Sequence, residues 1–173
     1  MAKLGVTSLM VLAGAFAFGR CLADGPIMLW KSAAVGMTAA EVRRSVLDAS
    51  PNPKPDTNND GWVSLLTERD RTNHHDQKVD FQFQNDRLMG VTVVEGERFG
   101  LASIGQEDVR AIFAKLRETY GTPFQCRDQN GGGQGCFWLK DGKFIGYLGQ
   151  AQSGSYAMVF LHKEKPGDRD LLK

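Results

Sequence analysis

The sequence predicts an α+β fold built from two helix-then-antiparallel-meander units, with the helices on one face of a six-to-eight-stranded sheet. Three observations carry this expectation. Two segments, 37–48 and 105–120, repeat apolar residues at helical spacing. Each is followed by runs that alternate apolar and polar residues, the period of a half-buried strand. Between those runs stand Asn85-Asp86 and Asp141-Gly142, residue pairs that tolerate the positive φ of tight hairpin turns.

Residues 1–23 read as a secretory signal. Lys3 supplies a positive start, Leu4 to Phe18 carry no charge, and Cys21-Leu22-Ala23 sets small residues at the −3 and −1 positions of a cleavage site. The apolar run falls short of the about 20 residues that a comfortable membrane span needs. A lipoprotein with Cys21 as the lipid-bearing residue is the rival, but Arg20 stands where a lipobox wants a small residue. The expectation is a soluble periplasmic or secreted protein starting at Asp24, with no transmembrane segment in the mature chain.

The first helix has a start signal in Thr38 and Glu41, spaced as a capping box, with Val42, Val46 and Ala49 at helical spacing and Pro51 as a stop. The stretch Ser50 to Asp56 holds three prolines and reads as a loop. Trp62 to Thr67 reads as a strand, Val79, Phe81 and Phe83 alternate with Asp80, Gln82 and Gln84, and Leu88 to Glu95 returns. The second helix places Val109, Ile112, Phe113, Leu116 and Tyr120 on one face. Glu107 and Asp108 complement its dipole, Gly121 caps it and Pro123 prevents continuation. Phe124 to Asp128, Cys136 to Leu139, Phe144 to Leu148 and Tyr156 to His162 then read as strands. A domain over 24–163 follows, with two related halves at about 27–98 and 99–163 and a flexible tail at 164–173. A shift of 67 residues lays Val91–Val94 on Met158–Leu161 in apolar pattern.

Charge argues against nucleic acid as a partner. The full chain has 21 basic and 20 acidic residues, spread along its length, whereas phosphate binding needs a clustered cationic excess. Loss of residues 1–23 removes Lys3 and Arg20 and no acid, leaving a net charge of −1. It also leaves Cys126 and Cys136, with nine residues between them, an even pair suited to an oxidising compartment. The intervening residues are polar and Gly-rich, so the expectation is a structural disulfide clamping a hairpin tip. A CxxC spacing is absent and neither cysteine has a histidine nearby in sequence.

The Gly36-Met-Thr-Ala-Ala-Glu-Val42 helix start followed by a meander, together with Tyr120-Gly-Thr-Pro123 at the second helix end, resembles the beta-lactamase-inhibitor-protein-like superfamily of small exported bacterial proteins. The resemblance covers roughly residues 27–163 at the level of element order. It implies two repeats forming one concave sheet that grips an enzyme, with no catalytic centre; apart from the calcium loop weighed below, no cofactor is expected.

Chemistry-bearing motifs are few. Asp56, Asn58, Asp60, Trp62 and Ser64 stand at positions 1, 3, 5, 7 and 9 of an EF-hand-type calcium loop, with Gly61 at 6. Thr67 occupies position 12, where a bidentate Glu is required, and the prolines forbid the incoming helix. The other reading is an Asn-Asp-Gly turn entering a strand. His74-His75-Asp76 offers ligands or a base with its carboxylate, but neighbours on a strand point to opposite faces. Gly131 to Gly133 lacks the residues of a phosphate loop, and no Gly-x-Ser-x-Gly is present. With no nucleophile–base pair in view, no catalytic residue is assigned. The expected function is a non-catalytic binding module of inhibitor, immunity or envelope-assembly type, recognising an envelope protein or other extracytoplasmic macromolecule. Its contacts are expected from exposed aromatics on the second-half strands, Trp138, Tyr147 and Tyr156. The alternative is a small periplasmic hydrolase or a calcium-binding envelope protein.

Overall fold

The structure is a computed structural model that describes residues 25–57, 61–71, 76–129 and 133–162. A two-stranded ribbon, β1 (Met28–Trp30) and β2 (Ala33–Ala34), leads into α1 (Ala39–Ser45). The strands β3 (Ser50–Pro51), β4 (Val63–Asp70), β5 (Gln77–Gln84) and β6 (Arg87–Glu95) follow. After α2 (Gln106–Tyr120) come β7 (Gln125–Gln129), β8 (Gly133–Lys140), β9 (Lys143–Gln150) and β10 (Ser155–His162). The last eight strands form one antiparallel sheet in the order β3-β4-β5-β6-β10-β9-β8-β7. The segments matched by the 67-residue shift are its two central strands, paired with Val91 opposite Phe160.

Local chemistry accounts for the elements. Thr38 Oγ1 accepts from the Glu41 amide and the Glu41 carboxylate accepts from the Thr38 amide, the capping box expected from sequence. Gly121 closes α2 at φ 82°, its N–H bonding to the Arg117 carbonyl. Asp141 and Gly142 both take positive φ, 50° and 72°, which lets β8 turn directly into β9.

One sheet face is buried. Phe81, Phe83, Leu88, Val91, Val93, Ile145, Trp138 and Tyr156 are all at most 1% exposed, and they cluster with Leu29, Ala33, Val42, Val46 and Leu116. On the α2 side, Phe113 lies with its ring 6.1 Å from Trp138 and 5.5 Å from Tyr147. Trp138 Nε1 donates to the Gly121 carbonyl, and the Tyr147 hydroxyl donates to the Val109 carbonyl, at 2.9 Å each.

The architecture corrects the α+β expectation of two helix-then-meander units with helices on a sheet face. The molecule is mostly β: 48% of the described residues are strand, against two helices. The reason lies in α1, which is seven residues long where 37–48 was expected. It gives the core only Val42 and its C-cap residue Val46, far too little apolar area to cover four strands. Leu29, Trp30 and Ala33 of the ribbon supply the rest.

The Cys126–Cys136 disulfide is present, with a Cα–Cα distance of 4.1 Å, shorter than the about 4.4–6.8 Å typical of such bridges. The two cysteines are direct cross-strand partners of β7 and β8. The nine intervening residues are not all loop, because Arg127, Asp128 and Gln129 continue the ladder against Gly135, Gln134 and Gly133. The expected signal, residues 1–23, and the tail, 164–173, lie outside the described residues. No helix among the described residues is long and apolar enough to cross a membrane.

Candidate binding surface

The opposite sheet face is where function can reside. Strand alternation and register decide what it displays. On β8, β9, β10 and on β6 from Gly90 onward, the residues facing away from the core are glycines, valines, Phe137, Leu139, Phe144, Leu148, Ala157 and Leu161, with Thr92, Gln150 and Ser155 as the polar exceptions. None of these positions is charged. An antiparallel sheet with a solvated face ordinarily reads polar on that face. Among the described residues neither α1, α2 nor the β1–β2 ribbon packs on this one, and the 3-10 turn Glu97–Phe99 closes only its Ser155 end, where the Arg98 amide donates to Ser155 Oγ at 3.4 Å.

The bulkiest part lies at the β7–β9 corner. Phe137 stacks on Phe144 with ring centroids 5.6 Å apart, and Phe124 tilts against Phe144 at 6.5 Å. Leu139, the cross-strand partner of Phe144, is 49% exposed and Phe124 is 53% exposed. Across the central pair the surface is shallower. Trp62 reaches over Gly90, where an added Cβ would stand 3.0 Å from its ring and 2.6 Å from Leu161. Toward β4 and β5 the face becomes ionic, with Lys78 paired to Asp80 at 2.8 Å and Arg69 clamped by both carboxylate oxygens of Asp76. Arg69 holds the Asp76 carboxyl below the usual carboxylate range.

On the covered face, one end carries a polar row instead of apolar core. Glu68 is 1% exposed and accepts from Trp30 Nε1 at 3.2 Å and from Lys31 Nζ. Lys31 also pairs with Asp70 at 3.0 Å. Burial pulls the Lys31 pKa down, yet the hydrogen bonds to Glu68 and Asp70 outweigh it and the pKa stands above the ordinary lysine value. Glu95, wholly buried, accepts from the Asp76 amide at 2.8 Å, and Gln77 Nε2 donates to the Tyr156 hydroxyl at 2.6 Å. Burial, then the charge and hydrogen bond of Glu95, drive the Tyr156 phenol far above its ordinary pKa, while burial alone pushes Tyr147 up to about 12. Both phenols therefore stay protonated at neutral pH. This network ties the ribbon and the β5 start to the sheet.

The nominated aromatics are corrected by register. Trp138, Tyr147 and Tyr156 are 1%, 3% and 1% exposed, because their parity puts them on the covered face beneath α2. The phenylalanines and leucine of opposite parity hold the open corner. Of the calcium-loop candidates, Asn58 and Asp60 lie outside the described residues. Asp56 is exposed, and its carbonyl accepts from the Ser64 amide at 2.9 Å. The Ser64 hydroxyl and carbonyl accept from Asn52 Nδ2, and Trp62 is half-buried on the open face. His74 and His75 lie outside the described residues. One signal in sequence pointed at the open face: Met158-Val-Phe-Leu161 and Gly90-Val-Thr-Val-Val94 are apolar in both parities, so each strand has apolar residues on two faces. Set against known proteins, the chain matches no family model, no curated protein and no solved structure.

Proposed function

We propose that this chain is a non-catalytic exported binding module, of inhibitor, immunity or envelope-assembly type, that engages a protein partner through the open face of its sheet. The observation that carries the reading is the uncharged apolar surface of β6, β8, β9 and β10, with Phe124 and Leu139 about half exposed at its corner. Contiguous apolar surface on a chain of this size marks a place that something covers, and buried aromatic anchors dominate the energy of such interfaces. A rigid sheet suits the task because its side chains need little ordering on association. The corner's disulfide, Cys126–Cys136, pins the outermost strand beside Phe124.

The test is site-specific photo-crosslinking in cells expressing the full sequence. A photoreactive phenylalanine analogue replaces Leu139 in one variant and Leu47, 91% exposed on the α1 side, in another. Discrete adducts at 139 and none at 47 support the reading. Equal labelling at both, or none at 139, overturns it.

A further inference from the structure

We infer that β7 is a docking edge, where an extended polypeptide segment of the partner adds to the sheet as a further strand; this rests on the binding reading above and names the chemistry of its partner. The sheet ends in β3 on one side and β7 on the other. The two edges differ. β3 is two residues long and holds Pro51, which has no amide to donate. Short strands and prolines are how sheets close an edge to other chains. β7 has five residues and no proline, and Cys126 to Gln129 are exposed.

Register decides which main-chain groups this edge offers. In an antiparallel pair, partners about 5.5 Å apart at Cα exchange hydrogen bonds, and those about 4.5 Å apart point their N–H and C=O groups away from each other. Cys126 and Cys136 are direct partners at 4.1 Å, the second kind. The amide and carbonyl of Cys126 therefore face outward, and by alternation so do those of Asp128. Gln125, Arg127 and Gln129 turn theirs inward, toward Phe137, Gly135 and Gly133. Among the described residues no turn, loop or cap bond takes the outward groups of Cys126 or Asp128. Donors and acceptors repeating at a two-residue spacing match another extended chain, the basis of strand addition. The disulfide holds β7 on β8 before any partner arrives, so the template is preorganised. Phe124, directly before β7 and 53% exposed, offers an apolar side chain of the added strand a ring to pack on. Its contact with Phe144 carries that strand into the open-face corner.

The experiment selects dodecapeptides from a random displayed library on the chain purified from cells expressing the full 173-residue sequence. Binding of the enriched peptides, made synthetically, is read by fluorescence anisotropy. Asp128→Pro deletes an outward donor and no bond to β8, so it should weaken binding by about tenfold. Asp128→Ala keeps that donor and should bind as wild type. Circular dichroism checks that both variants stay folded. On the wild-type chain, which needs no variant to fold, saturating peptide should slow hydrogen exchange at the Cys126 and Asp128 amides by about tenfold or more. The Arg127 amide, already bonded to β8, should change little. No enriched peptide, equal binding to Asp128→Pro, equal losses in both variants, or unchanged exchange at 126 and 128 overturns the inference. A chain that self-associates with those two amides protected before peptide is added makes a second copy the occupant, and overturns the partner assignment. The cross-linking at 139 separates the two levels. Adducts there with an unengaged β7 leave the binding reading standing, and none there overturns that reading whatever the peptides do.

Discussion

Replacing Lys31 with methionine strands Glu68, a fully buried carboxylate that a partly exposed cation neutralises. Glu68 has a side-chain exposure of 0% and Lys31 of 41%. Breaking a fully buried ion pair costs about 3–5 kcal/mol, mainly because the remaining charge is stranded. Here the loss should be smaller, roughly 2–3 kcal/mol, because solvent screens the exposed side of Lys31 and Trp30 Nε1 still donates to Glu68. For a domain of this size that is a fall in Tm of about 5–10 °C. Lys31→Met also keeps the side-chain bulk at φ 45°, so backbone strain is unchanged between the two proteins. The assay is denaturant unfolding of wild type, Lys31→Met, Glu68→Gln and the double variant. The cycle should return a coupling of about 1–2 kcal/mol, with the double variant more stable than Lys31→Met alone. The pH dependence has a definite sign. A lysine pKa raised on folding gives stability that is complete below its ordinary value of 10.5 and is lost as pH rises through the raised one. The alkaline limb of wild type should therefore flatten in Lys31→Met. Additive single variants, with coupling under about 0.3 kcal/mol, would refute the reasoning.

Removing the disulfide by Cys126→Ser with Cys136→Ser should cost roughly 2–3 kcal/mol, the chain-entropy value for so short a loop, and hydrogen exchange should show the amides of β7 losing protection first. Gly154→Ala should destabilise by roughly 2–4 kcal/mol in thermal unfolding, since at φ 53° its Cβ would stand 2.2 Å from the Ile104 carbonyl. Tyr147→Phe leaves the core volume almost unchanged and deletes the bond to the Val109 carbonyl, for a loss of about 1 kcal/mol by the same assay. Asp76→Asn should weaken the acid limb of stability: a carboxyl pKa lowered on folding stabilises above its ordinary 3.8, and that is lost as pH falls through the lowered value.

Much of the secondary structure was legible because it is written locally. The face of α2, its glycine cap, the capping box of α1 and the Asp141-Gly142 turn each depend on residues within one helical turn or one hairpin. The ribbon β1–β2 was not legible, since its strands of three and two residues carry no period and its turn uses Lys31 at φ 45°. Ser50–Pro51 read as loop because proline lacks a ladder donor, yet it sits at the sheet edge, where none is needed. The aromatics nominated as exposed were assigned to the wrong face for a sharper reason. In Phe144-Ile-Gly-Tyr-Leu148 both parities are apolar, so sequence alone does not say which faces the helix. Tyr147 lies under Phe113, and Phe144 goes to the outside.

The central claim is that the open sheet face is covered in the working protein. Hydroxyl-radical footprinting tests it directly, with the chain labelled once inside the expressing cells and once after purification at high dilution. Phe124, Phe137, Leu139 and Phe144 should oxidise several-fold more slowly in the cells, while Leu47 and Met28, away from that face, oxidise equally in both. Equal oxidation of the four corner residues in the two samples would contradict the account.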